Sequence, residues 1–313
     1  MIREAAVAGT FYPATERECL RALDACFAQA EAPKEPGAKE ARVGDEGAKA
    51  AAYRVYGVGG IEARISGGVV PHAGWMCSGM VAATVFSAMA ANRRPDTVVV
   101  LGAVHRPRGE EGAIFPNGRW DTPLGGIEID ERLAERILGH TNLIVEDPYA
   151  HEPEHSIEVQ VPFVQRVWPG AKLLPMMVPP SRRAVEIGDA VGRTLVSYGY
   201  EAVVLASSDL THYGDRYGFE PKGAGEAGLK WAKEVNDRRV IDLMVAMEAE
   251  RIVPEAVAHR NACGGGAIAA TIAATKAMGA KEGLLLRHAT SRETMRMERE
   301  RNAVGYAGMV FVG

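Results

Sequence analysis

The sequence is poor in the features that would remove it from the ordinary globular class. Only four cysteines occur in 313 residues, at positions 19, 26, 77 and 263. No two of them form a CxxC pair, which excludes a disulfide-stapled scaffold and a zinc knuckle. Cys19 and Cys26 stand seven apart in an expected helix, so they share a face and belong to the core. Basic residues are not in excess. The net charge of −4, with no local Lys/Arg stripe to reverse it, argues against a nucleic-acid or polybasic membrane binder. No uncharged apolar run approaches the roughly 18 residues of a spanning helix. The opening MIREAAVAGTFYP lacks the basic and apolar regions of a signal peptide. A cytoplasmic protein without membrane or nucleic-acid partners is the expectation. Glutamine and asparagine are scarce, with three and six copies, a depletion that fits a thermophilic source and says nothing about activity.

What is present is a composition of 47% hydrophobic and 24% charged residues, enough for a sizeable core. One stretch departs from it. Gln29–Gly47 is rich in Ala, Glu, Lys, Gly and Pro, has almost no large apolar side chain, and reads as a mobile surface insertion. No internal repeat and no second linker occur, so residues 1–313 are expected to form one domain. Elsewhere buried strands alternate with helices. Strands are expected at Ala63–Val70, Thr97–Leu101, Lys172–Val178, Ala202–Leu205, Gly283–His288 and Val304–Val312. Helices are expected at Ser78–Ala91, from near Glu154, at Ala184–Tyr198, Glu226–Glu250 and Gly264–Ala277. That order predicts an α/β fold with a mainly parallel sheet flanked by helices on both faces.

The polar residues fall at telling places. His72 (in PHAGWMCSG), His105 (closing LGAVH) and Asp209 (in SSDLTHYG) each lie just past the carboxyl end of a buried strand, the edge where open α/β sheets bind ligands. His212 follows Asp209 by three residues, and Ser207 or Ser208 could orient either one. Cys263 precedes three glycines at an expected helix start, where free N–H groups and the helix dipole favour thiolate. A single histidine at a strand end is commonly just hydrogen-bonded structure, so the argument is collective. Metal- and proton-competent residues end neighbouring strands of one sheet. A second cluster, His151-Glu152-Pro153-Glu154-His155, places two histidines four apart, but Pro153 between them rules out one continuous zinc-binding helix. Glu154 and His155 are expected to open a helix and could line the same site.

At these residues the chain resembles a known family. VAGTFYP from Val7, PHAG, LGAVH, TPLG from Thr122, EHSIEVQVPF, SSDLTHYG, ACGGGA and Val304-Gly305-Tyr306 are similar, in order, to the successive motifs of the Memo family, known also as AmmeMemoRadiSam system protein B. The resemblance runs from Val7 to Tyr306, outside the insertion. It implies a fold like that of class III extradiol dioxygenases, which bind non-haem iron. His72 and His105 match the family's metal-binding histidines and Cys263 its thiol ligand. Asp209 and His212 match the remaining pocket residues, His212 at the acid–base position. The resemblance also implies association with radical SAM and AMMECR-type proteins in prokaryotes, and with motility signalling and peptide binding in eukaryotes. Extradiol enzymes hold iron with two histidines and a carboxylate. A thiol in the third place is softer, suiting copper(I), zinc or thiolate-bound iron, so iron or copper is the expected cofactor, with zinc as the alternative. Three functions stay open: a metal-dependent oxidoreductase, dioxygenase-like, on an unknown substrate; a metal-binding protein without turnover; and a binding module for a peptide or small ligand using the same pocket.

Overall fold

The computed structural model describes residues 1–31, 61–106, 109–297 and 299–313. In chain order the elements begin with β1 (Ile2–Arg3), α1 (Glu16–Glu31), β2 (Ile65–Val70), α2 (Trp75–Asn92) and β3 (Thr97–Gly102). Then follow β4 (Gly112–Ile114), β5 (Arg119–Thr122), β6 (Gly125–Glu128), α3 (Glu131–His140), β7 (Ile144–Glu146) and α4 (Val161–Val167). Next come β8 (Lys172–Met177), α5 (Ala184–Ser197), β9 (Ala202–Ser207), β10 (His212–Tyr213), α6 (Glu226–Trp231), α7 (Asp237–Val245) and α8 (Ala249–His259). The chain closes with α9 (Gly265–Ala277), β11 (Glu282–Thr290), α10 (Ser291–Thr294) and β12 (Ala303–Val312).

A nine-stranded sheet runs β10-β12-β2-β9-β3-β8-β4-β7, with β11 also on β12. Its centre, β2-β9-β3-β8, is parallel throughout, while β12, β11 and β4 pair antiparallel at the flanks. The expected α/β architecture with a mainly parallel sheet is therefore what the chain adopts. The central strands read as unbroken apolar runs because every residue of β2, β3 and β9 is buried. Register then aligns their carboxyl ends: Val70 pairs with Ser207, Leu101 with Ala206, and Gly102 with Met177. Whatever follows β2, β3 and β9 meets above one edge.

α2 and α9 are buried nearly all round, so they pack by small residues rather than by one apolar stripe. Gly188 of α5 lies so close to α9 that an added Cβ would sit 2.0 Å from the Ala270 carbonyl oxygen. Cys19 and Cys26 are buried in α1, on its core face.

Several expectations need correction. No helix starts at Glu154: a 3-10 turn at Glu158–Gln160 leads into α4, whose first turn carries Pro162. The long helix expected at Glu226–Glu250 is broken, with a π-helical turn at Ala232–Asn236 and a positive φ at Met247 between α7 and α8. A second sheet, β1-β5-β6, was not anticipated; its strands are two to four residues long and carry no period to read. The insertion expected at Gln29–Gly47 begins inside α1, which is helical through Glu31, and its remainder lies outside the described residues. Among the described residues no helix is long and apolar enough to cross a membrane.

Candidate metal centre

His72 and Ala73 follow β2 in a turn fixed by Asp209. The Asp209 Oδ1 accepts the backbone N–H of His72 at 2.7 Å and of Ala73 at 3.3 Å. Asp209 itself follows β9, and its backbone N–H donates to Cys263 Sγ at 3.3 Å, while the Cys263 N–H donates to the Asp209 carbonyl. Ser208 Oγ accepts the Gly264 N–H at 2.9 Å. The loops after β2 and β9 are thus tied to the segment before α9 by paired bonds. They bring Cys263 Sγ to 3.1 Å from His72 Nε2. His105, after β3, completes the cluster: one donor atom each of His72, His105 and Cys263 lie within 4.8 Å of one another.

The hydrogen bonds assign the tautomers. Ser207 has one hydroxyl proton, which it donates to the Ser156 carbonyl at 2.6 Å. It must therefore accept from His72 Nδ1, 3.2 Å away, leaving Nε2 unprotonated toward Cys263. His105 Nδ1 lies 3.0 Å from Glu154 Oε1, a carboxylate that only accepts, so Nδ1 carries the proton and in the neutral ring Nε2 keeps its lone pair. Gln160 Nε2 supports the same serine at 3.1 Å and bonds the Pro71 carbonyl.

Charges follow these contacts. Burial lowers the pKa of His72, which is only 2% exposed, to about 4, so its ring is neutral as a ligand must be. His105 is more open, its side chain 34% exposed. Burial disfavours its charged form, but the hydrogen bond and charge of Glu154 outweigh burial and raise its pKa. Burial likewise opposes ionisation of Glu154, yet the hydrogen bond and charge of His105 hold its carboxyl well below the usual range. Asp209 is lowered too: burial opposes its ionisation, and its electrostatic coupling to His72, the pairing with His212 and the bond from the His72 backbone N–H outweigh it. Cys263 departs from the expectation of a lowered thiol. It precedes the Gly264 cap rather than opening α9, and burial, reinforced by the charge of Asp209, pushes its thiol up.

The structure brings together His72, His105, Cys263 and Asp209. His212 stands slightly apart, with Nε2 3.8 Å from Asp209 Oδ2 and its ring stacked on Tyr217. Glu154 and His155 also reach the site: His155 stacks on His105 at 4.8 Å between centroids and lies 5.3 Å from His72. Its far face meets Phe11. His151 does not join them. It is fully buried against the Ala113 carbonyl, Trp120 and Phe115. Ser207, expected to orient Asp209 or His212, instead orients His72. Gln160 and Phe11 were missed, although both sit within motifs the sequence displays.

A parallel-sheet α/β protein with two imidazoles and a thiol gathered at its carboxyl strand ends defines a class: proteins with a candidate mononuclear metal centre on that edge. The Memo-like protein family matches residues 3–310. A MEMO1 family protein of Pyrobaculum arsenaticum is 34% identical over 99% of both chains. One of Methanothermobacter thermautotrophicus is 36% identical over 93% of this chain and 94% of its own. A solved structure of an uncharacterized protein from Escherichia coli K12 superposes with a TM-score of 0.45 at 13% identity, covering 71% of this chain and 88% of that one. The chain belongs to the Memo family.

Proposed function

We propose that His72, His105 and Cys263 bind a redox-active transition metal, iron or copper, and that the protein is a metal-dependent oxidoreductase acting on a small molecule. One observation carries this reading: one ligand atom each of His72, His105 and Cys263 lie within 4.8 Å of one another, both rings are engaged by an oxygen at Nδ1, and His72 Nε2 lies 3.1 Å from the thiol. Two imidazoles and a soft sulfur fit copper, iron or zinc and do not suit magnesium or calcium. A cation there would also stabilise the thiolate that burial alone disfavours. When bound, iron or copper supplies one-electron chemistry and Lewis acidity.

The chain's own residues have separate tasks. Ser207 and Glu154 fix the two imidazole rings, and Asp209 holds the turn that carries His72. His212 is partly exposed and close to Asp209, so it can hold or move a proton at Nε2 without being a ligand. Elemental analysis of natively expressed protein tests the metal reading. About one equivalent of iron or copper is expected, retained in His212→Ala and lost in His72→Ala and Cys263→Ser. Zinc alone would remove the redox assignment, and equal metal loss in His212→Ala would make His212 a ligand. Oxygen consumption with candidate reductants by the loaded protein separates turnover from mere metal holding.

A further inference from the structure

His105 borders more than the ligand cluster. Its other side opens on a cavity of about 1130 Å³. This is at the upper end of small-molecule sites, which run to roughly 1,000 Å³. One wall is Val104, beside His105 after β3, with Pro179 and Pro180 after β8; the opposite wall is α8, through Val253, Pro254 and Val257. The Pro179 wall abuts the helix that follows Cys263, since a Cβ on Gly266 would sit 2.2 Å from the Pro179 carbonyl oxygen. The cleft and the ligand cluster thus share His105 and are built from neighbouring strand-end loops and the start of α9.

Its walls are apolar and its rim is of mixed sign. Arg106 and Arg182 line it together with Glu110, Glu186 and Glu250. Glu110 is already within 3.4 Å of Arg183. No one sign dominates, so the rim focuses no field that would select an ionised tail. Val257 is 65% exposed in the wall, an apolar surface set in a concavity rather than scattered on a convex face. We propose that this cleft receives the uncharged, apolar arm of the substrate, whose polar head reaches His72, His105 and Cys263. The proposal rests on the metal reading above and names its substrate class: a small molecule with a ligating head and a neutral hydrophobic arm.

Two probes test it, N-methylimidazole and N-phenylpropylimidazole, titrated into cobalt(II)-loaded protein and followed by visible absorption. They share the ligating nitrogen and differ only in the arm. Each methylene removed from water is worth roughly fourfold in affinity, so the longer probe should bind tenfold or more tightly. In Val257→Asp, exposed and therefore tolerant of the change, that ratio should fall to about threefold or less; Val253→Asp gives a second wall position. If both probes bind equally to the wild-type protein, the cleft proposal is overturned while the metal reading stands. If no cobalt(II) spectrum develops, the metal reading fails; if it develops and neither probe perturbs it, the metal offers the head no open position. Calorimetry with N-phenylpropylimidazole then decides the cleft: saturable binding abolished by Val257→Asp supports it, and no binding overturns it.

Discussion

Glu154 meets the candidate metal centre through the His105 ring it holds, and with His105 and His155 it forms a second group whose ligand atoms lie within 4.8 Å of one another. Its carboxylate lies 3.0 and 3.1 Å from His105 Nδ1 and also accepts the N–H groups of His155 and Ser156. A carboxylate behind a ligating imidazole fixes its tautomer and raises its basicity, and losing it costs about 10–100-fold in metal affinity. Glu154→Gln keeps the oxygen that accepts the His155 and Ser156 N–H groups and gives up the charge, together with the weaker 3.3 Å bond from the His105 N–H. The variant should therefore fold normally, reach full occupancy at saturating metal, and bind about 10–100-fold more weakly in competition with a chromophoric chelator. Unchanged affinity would show that Glu154 serves only the loop. Residues of this kind were the hard ones to read. His72, His105 and Asp209 were visible because each follows a buried apolar run that fixes its place on the sheet edge. Glu154 and His155 come after Pro153; the sequence left it open whether they line the site, and the helix expected to begin there does not form, so the bond from Glu154 to His105 Nδ1 comes from the folded chain.

At the scale of elements, the central strands were legible for the same reason that they are central: burial on both faces leaves no alternation, only short apolar runs between helices. The small sheet was not, since strands of two to four residues have no period and owe their pairing to tertiary packing. Helix breaks were missed where local strain, such as the positive φ of Met247, is decided by neighbours rather than by propensity. The packing of α5 on α9 offers a test in which propensity and packing predict opposite signs. By propensity, Gly188→Ala in mid-helix stabilises by about 1 kcal/mol. By packing, the new methyl would lie 2.0 Å from the Ala270 carbonyl and 2.6 Å from its Cα, backbone atoms that cannot rotate away. Overpacking of this kind costs about 1–3 kcal/mol. A lowered urea midpoint with an unchanged slope is expected; a raised midpoint would mean the two helices separate freely.

Across the whole molecule, the chain's beginning is fastened to the region of the site by one buried acid. Glu158 Oε2 accepts from Arg3 Nη1 at 2.8 Å and from the Ala6 N–H; Oε1 accepts from the Val7 N–H and the Tyr12 hydroxyl, each at 2.9 Å. Arg3 in turn donates to the carbonyls of His151 and Glu154 and lies over the Trp120 ring. Both side chains are almost wholly buried. The network joins β1 and its small sheet to the loop that carries Glu154 and His155, and it sets the segment whose Phe11 packs against the His155 ring. Removing one partner of a buried ion pair leaves an uncompensated charge and costs about 3–5 kcal/mol. Arg3→Met and Glu158→Gln should each destabilise by about that amount. They share one network, so their effects should not add. The double variant has no stranded charge, and it should be no less stable than Glu158→Gln alone. Urea unfolding of all four proteins measures this coupling, and strict additivity would mean that Arg3 and Glu158 are fastened independently.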